Sequence, residues 1–465
     1  MSAILKVYSP FDHHLIKEFP MPDASQVEKV ISKASILFSK RSSWLPKYRR
    51  IEILEKLARL MENQVEELTL TAAEEGGKPY QDSRIEVLRA INGVKLAVAG
   101  LYELKGEEIP MGLTAPSINR LAFTTREPIG VVLAISAFNH PVNLIIHQVI
   151  PAIASGCPVI IKPASTTPIS CFKLVELLRE AGLPEGYCTP LVCDRSIAEK
   201  MVADPRIGYL TFIGSAEVGW RLRSLIAPGT RIALEHGGVA PVIVDHSPNN
   251  QVLLPDILKG GFYHAGQVCV SVQRVFIHES AARSFAESIA GRAQKLINGD
   301  PLKPDTQVGP LIQLSEIKRV HEWVEEARQF GAEILCGGHA LSETLYAPTV
   351  IWNPPEQIRV SVNEVFGPVI CIYPFRDKDE AVRRANSLRY AFQAAVYSND
   401  INFAFGVAQE LNASTVMIND HTAFRVDWMP FGGRDESGLG TGGIPYAMKE
   451  MTREKLLVFK SPDLQ

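Results

Sequence analysis

Gly130-Val-Val-Leu-Ala-Ile-Ser-Ala-Phe-Asn-His-Pro141 is a short apolar run that stops at a polar turn. The pattern recurs downstream. Val131–Ser136, Val159–Lys162, Thr189–Cys193, Tyr209–Ile213 and Arg231–Leu234 read as strands, with helices expected from about Pro141, from about Pro168, near Ser196–Ala203 and from about Ala216. Buried strands of this length separated by helices mark βαβ units and an open parallel sheet. Such sheets take ligands at the carboxyl ends of their strands. A second alternating region runs from Val239 to about Leu411 and reads as another α/β domain. It is entered through Glu235-His-Gly-Gly238, whose double glycine suits a hinge.

Before this core, residues 1–22 read as an extended lead-in with Pro10, Pro20 and Pro22. Asp23 is a candidate N-cap for a helix to about Lys40, and helical patterns follow from Pro46 to about Glu75 and from Asp82 to about Lys105. Ile109–Arg126, with Thr114, Thr124 and Thr125, reads as a β-ribbon. The tail Lys455-Leu-Leu-Val-Phe-Lys460 reads as a strand that would pair across subunits.

Composition narrows the function. A chain of 465 residues, 46% hydrophobic and 21% charged, can bury a large core in two or three domains. A formal charge of −3 provides no cationic field for nucleic acid or an anionic membrane, so small molecules are the expected partners. The most apolar region, Pro128 to Lys162, is broken by Asn139, His140, Pro141, His147 and Pro151, and no segment reads as a membrane span. Seven scattered cysteines without a C-x-x-C pair argue against a zinc site and a disulfide framework. With no signal-peptide pattern at Met1-Ser-Ala-Ile-Leu-Lys6, the expected setting is a reducing cytoplasm.

The strand ends carry polar groups. Asn139 follows the first strand, Lys162 ends the second, Gly214-Ser215 opens a helix after Tyr209–Ile213, and Glu235 follows Arg231–Leu234. A helix N-terminus at Gly214-Ser215 suits a pyrophosphate, and Lys162 suits ribose hydroxyls or a phosphate. Each also has a plain explanation as a turn former or a solvated lysine. Elsewhere, Phe262-Tyr-His-Ala-Gly-Gln-Val-Cys-Val-Ser271 holds Cys269 behind Gly266. A cysteine there is either a buried small hydrophobe or a nucleophile whose thiolate is stabilised by backbone N–H groups of a loop feeding a helix N-terminus.

Taken together, Phe138-Asn-His-Pro141, Ile160-Ile-Lys-Pro-Ala164, Phe212-Ile-Gly-Ser-Ala-Glu-Val-Gly219, Leu234-Glu-His-Gly-Gly238, Gly266-Gln-Val-Cys269, Glu364-Val-Phe-Gly-Pro368, and Pro430-Phe-Gly-Gly433 with Ser437-Gly-Leu-Gly440 resemble the NAD(P)-dependent aldehyde dehydrogenase superfamily. The resemblance implies two Rossmann-like open-sheet α/β domains plus a small β oligomerisation element. These would comprise a dinucleotide-binding domain (1–108 and 127–237), a catalytic domain (238–435), and an oligomerisation element with the C-terminal tail (109–126 and 436–465), assembled as a homodimer or homotetramer. It gives Cys269 the role of nucleophile on the aldehyde carbonyl, with the Asn139 amide and the Cys269 backbone N–H holding the oxyanion. Glu235 becomes the base that activates water against the thioester, which favours the hydrolytic branch over coenzyme A acylation. Lys162 and Glu364 would grip ribose hydroxyls, Phe366 would lie against the nicotinamide, and Gly214 and Ser215 would stand near the pyrophosphate. Ser165 occupies a position where NAD-preferring relatives often have a glutamate, so NADP as well as NAD is an expected cofactor.

Several positions depart from the family pattern. Val239 and Gln148 replace common lysines, and the G-x-G-x-x-G string at Gly438, Gly440 and Gly443 reads as a chance loop match. His140, Asn143 and His147 make the helix after Asn139 unusually polar. In His421-Thr-Ala-Phe-Arg-Val-Asp-Trp-Met-Pro-Phe431, a loop bordering the family's aldehyde tunnel, Arg425 stands six residues before Phe431 where an aromatic is common. A guanidinium there suits a short aldehyde with a carboxylate, sulfonate or phosphonate tail, and the stretch resembles phosphonoacetaldehyde and sulfo-aldehyde dehydrogenases. The substrate candidates are thus Arg425, His140 and Phe431, the alternative being that Arg425 pairs with Asp427 or another acid. Other readings are a dehydrogenase for short neutral aldehydes such as lactaldehyde, a catalytically silent structural homologue, and a cysteine hydrolase with His264 or His236 as base.

Overall fold

The computed structural model describes residues 3–246 and 250–464. Among these, one sheet has the strand order Gly438–Leu439, Arg231–Glu235, Ile207–Ile213, Val131–Ile135, Val159–Lys162, Cys188–Pro190. All its pairings are parallel except that of Gly438–Leu439. Every residue of Val131–Ile135 is buried because helices cover both faces, and the two-residue period sorts its side chains. Val132 and Ala134 join a core with Leu54, Val94 and Ile146, whereas Val131, Leu133 and Ile135 join Ile31 and Met201 on the other side. Ile135 lies in register with both Lys162 and Phe212, and Ile213 with Glu235, so four neighbouring strands end level.

A second sheet runs Glu333–Cys336, Thr349–Trp352, Val369–Phe375, Arg274–His278, Val242–Val244, Gln393–Tyr397, Thr415–Ile418, parallel except at the Glu333–Cys336 edge. Three local expectations change. The lead-in folds as a hairpin of Ile4–Tyr8 with Leu15–Pro20. The helix expected over Pro46–Glu75 is two, Lys47–Asn63 and Val65–Gly76, because Gln64 leaves helical geometry at φ −119°. The strand expected at Thr189–Cys193 lies at Cys188–Pro190, ending on a residue with no N–H for the ladder. Asp23 does cap the helix Ala24–Ser39, in a reciprocal box with Gln26.

The C-terminal tail forms the expected strand. Thr452–Lys460 pairs along its whole length with Arg120–Pro128 of the same chain, and Glu108–Ile109 adds a third strand. Thr452–Lys460 stands at the edge of this sheet, with Arg120–Pro128 on one side of it only. Within 436–465, Gly438–Leu439 extends the first sheet, and the helix Ile444–Glu450 packs Ile444 and Met448 into the core beneath it.

Two buried glutamates set the loops at the level strand ends. The helices Asn143–Ser155 and Ile169–Glu180 start at Val142 and Pro168 without a side-chain cap of their own. Glu86 accepts from Val142 N and Asn143 N, both at 2.8 Å, and Glu75 accepts from Ile169 N at 2.7 Å and Ser170 N at 2.9 Å. Both thus satisfy orphan helix donors from inside the protein. Lys78 pairs with Glu86 and donates to Asn139 O at 3.3 Å. Lys78 and Glu86 are fully buried. Replacing Lys78 with Met leaves the Glu86 charge uncompensated, a cost of about 3–5 kcal/mol. A fall of several degrees in the thermal unfolding midpoint is expected for Lys78→Met by calorimetry, and an unchanged midpoint would contradict this account of the pair.

Candidate active site

The level strand ends of the first sheet face the amino ends of the second across a cavity of about 470 Å³. From the first sheet come Asn139 and His140 after Val131–Ile135, Gly214 and Ser215 after Ile207–Ile213, and Glu235 at the end of Arg231–Glu235. From the second come Cys269, ahead of Arg274–His278, and Glu364 and Phe366, ahead of Val369–Phe375. Arg425 and Phe431 close the wall. Lys162 and Ser165 do not line this cavity, although Ala164 between them does. Lys162 lies on the same strand edge near Cys193 and Asp194, and Ser165 is exposed.

The backbone around Cys269 is strained. His264, Ala265 and Gly266 have φ of +48°, +53° and +71°, and a Cβ on Gly266 would lie 2.1 Å from Gly367 O. This turn reverses the chain between the helix Asn250–Phe262 and the strand Arg274–His278, with Cys269 on the crossing. The loop therefore feeds a strand, and the expectation that a helix N-terminus stabilises the thiolate is not met. Burial instead pushes the Cys269 thiol well up, Glu235 adds to this, and Arg425 pulls it down. Cys269 is half-buried, whereas the other six cysteines are buried.

Asn139 Nδ2 donates to Gln267 O at 2.9 Å, which holds its amide beside Cys269. Burial raises the Glu235 carboxyl against the pull of Arg425, and Glu235 Oε1 has no hydrogen-bond partner. Neither histidine of the hydrolase alternative bonds to the sulfur. Both ring nitrogens of His264 lack partners, and His236 Nδ1 bonds to Glu436 O at 2.8 Å while its Nε2 has none. His140 Nε2 lies 3.1 Å from the Tyr263 hydroxyl.

The first of the two glycines before the second sheet has a packing reason. A Cβ on Gly237 would lie 1.6 Å from Glu364 Oε1, so the carboxylate occupies the space a side chain would fill. Burial pushes the Glu364 carboxyl up to about 8, with the Gly238 N–H opposing. Phe366 holds a left-handed φ of +47°, and its ring meets Phe138 edge-on at 5.8 Å.

The sequence profile of the aldehyde dehydrogenase family matches residues 2–457. The chain belongs to that family. It is 36% identical over 455 residues to the 3-sulfolactaldehyde dehydrogenase of Priestia megaterium, covering 98% of this chain and 94% of the relative. Among solved structures it resembles aldehyde dehydrogenase 21 from Physcomitrella patens in complex with the reaction product succinate, with a TM-score of 0.95, 33% identity, and coverage of 99% of this chain and 96% of that one. It also resembles the glyceraldehyde-3-phosphate dehydrogenase GapN of Methanocaldococcus jannaschii complexed with NADP, with a TM-score of 0.94, 34% identity, and coverage of 99% and 100%.

The residues of this chain fit a nicotinamide dinucleotide. Glu364 Oε1 is buried without a partner, as a ribose hydroxyl would require. The helix Ala216–Arg223 begins at Ser215 with no side-chain cap, leaving its N–H groups to an anion.

Sequence reading missed Arg89 and Tyr263, which also line the cavity together with His236. Arg89 lies on a long helix where an arginine usually meets solvent, and its partner Asp427 is 338 residues away. Iodoacetamide should label Cys269 alone in the free protein. Removing the attracting charge in Arg425→Met should move the pH midpoint of labelling up, and removing the repelling one in Glu235→Gln should move it down. Peptide mass spectrometry checks both, and shifts in the same direction would contradict the electrostatics described.

Proposed function

We propose that this chain oxidises a short aldehyde with an anionic tail to the corresponding carboxylic acid, using NAD or NADP. Cys269 Sγ attacks the carbonyl carbon. The second N–H of the Asn139 amide and the Cys269 backbone N–H hold the oxygen as its charge develops, the first N–H being engaged by Gln267 O. Bound NAD or NADP supplies the hydride acceptor. Glu235 then takes a proton from the water that releases the acid from Cys269, its raised pKa and partnerless Oε1 suiting a base in a dry site. Glu364, Gly214 and Ser215 hold the dinucleotide within the cavity, Phe366 lies against its nicotinamide, and Lys162 and Ser165 serve its adenosine end along the same strand edge. A homodimer or homotetramer in a reducing cytoplasm is the expected setting.

The observation that supports the substrate class is Arg425. Its guanidinium sits face-on to Phe431, 3.5 Å from the ring centroid, and Phe431 is held by Phe392 at 4.8 Å. No carboxylate lies within salt-bridge distance of Arg425 among the described residues, and its Nε has no partner. The alternative pairing with Asp427 is not made, because Asp427 is engaged by Arg89 and His147. An unpaired cation beside Cys269 calls for an anion from the ligand. His140 adds a polar group to the same wall.

The test is a panel of sulfoacetaldehyde, succinate semialdehyde and propionaldehyde with each cofactor. Acidic aldehydes should have the higher kcat/KM. Arg425→Leu should raise KM for the acidic aldehydes about tenfold or more, with a far smaller change for propionaldehyde. Equal changes for both classes would instead favour a short neutral substrate such as lactaldehyde.

A further inference from the structure

A buried guanidinium keeps its charge for a ligand only if its protein neighbours leave that charge uncancelled. The nearest carboxylate on the Arg425 loop is Asp427, two residues on, and a direct pair between them would cancel the cation. Asp427 is turned elsewhere. Arg89 grips it with Nη2 at 2.7 Å and Nε at 3.2 Å, Asn143 Nδ2 lies at 3.4 Å, and His147 Nε2 lies at 2.8 Å. His147, itself buried, stands between the two charges, and its Nδ1 lies 3.3 Å from Arg425 Nη2.

Chemistry fixes the direction of both contacts. A guanidinium has only donors. Burial works to raise the Asp427 carboxyl, but His147 and Arg89 hold it well below the usual carboxylate range, so it only accepts. His147 therefore carries its proton on Nε2 and presents a lone pair at Nδ1. Burial and then the Arg425 charge push the ring down to about 4, with Asp427 opposing, which keeps it neutral. Among the described residues, the other contact of the Arg425 guanidinium is the face of Phe431.

We infer that His147 is a positioning residue for substrate: held in its Nε2–H tautomer by Asp427, it orients the Arg425 guanidinium through a neutral acceptor and leaves the positive charge to the anionic end of the aldehyde. The inference rests on the reading of Arg425 as the anion receptor. A carboxylate at position 147 would orient Arg425 and neutralise it together. An apolar residue would leave it restrained by Phe431 alone. Arg89 completes the arrangement from the neighbouring helix, because it balances Asp427 and so prevents that carboxylate from turning to Arg425.

The experiment measures kcat and KM for sulfoacetaldehyde and propionaldehyde in the wild type, His147→Leu, His147→Asn, Arg425→Leu and the His147→Leu/Arg425→Leu double variant. His147→Leu should lower the kcat/KM ratio of the acidic to the neutral aldehyde about tenfold, chiefly through KM for sulfoacetaldehyde. His147→Asn, whose side-chain oxygen reaches the place of Nδ1, should recover most of the loss. In the Arg425→Leu background, His147→Leu should change the ratio little, since a residue acting through Arg425 has nothing left to position. The role of His147 is overturned if Arg425→Leu lowers the ratio and His147→Leu does not, if Asn is as impaired as Leu, or if the two losses add. An unchanged ratio in Arg425→Leu overturns the anion-receptor reading itself, and this inference with it.

Discussion

The hydrogen bond from Asn139 Nδ2 to Gln267 O joins the two halves of the site. Asn139 follows a strand of the first sheet and Gln267 lies two residues before Cys269 at the head of a strand of the second, so a shift at this bond moves the amide away from the sulfur. Both ends are anchored. Lys78 and Glu86 hold the Asn139 loop from beneath, while the Gln267 side chain donates to Pro310 O at 3.1 Å and accepts from Ile312 N at 2.9 Å. Two open sheets that share no ladder are thereby linked where the Asn139 loop meets the Cys269 loop.

Charge in the cavity is distributed unevenly. Glu235 and Cys269 are both pushed towards their neutral forms by burial, and Arg425 is the cation that acts on each. It has this influence because Asp427 is committed to Arg89. In a low-dielectric pocket an unpaired guanidinium eases deprotonation of both groups, and on the function proposed the same charge would attract an acidic substrate.

Much of the fold was legible in the sequence because the strands of the first sheet are covered on both faces and appear as unbroken apolar runs, as at Val131–Ile135. Glu235, Cys269 and Asn139 were legible through short motifs around strand ends, and the structure brings them to one cavity. What was hidden depends on long-range partners. Glu75 and Glu86 occur in helical stretches where glutamate ordinarily faces water, and nothing local marks them as caps for helices that begin far along the chain. The tail strand was visible and was grouped with the ribbon at Ile109–Arg126, but not its register along Arg120–Pro128. Gly237 looked like a hinge because sequence cannot show the Glu364 carboxylate that fills the place of its side chain.

The central claim is that Cys269 and Glu235 act in succession on one substrate. Mixing Glu235→Gln enzyme with aldehyde and NAD or NADP, then measuring intact mass and mapping the modified peptide, tests it most directly. The account predicts a burst of reduced nicotinamide of about one equivalent per site, followed by a stall with the acyl group on the Cys269 peptide. Sustained turnover by Glu235→Gln, or an acyl group on any other cysteine, would contradict it.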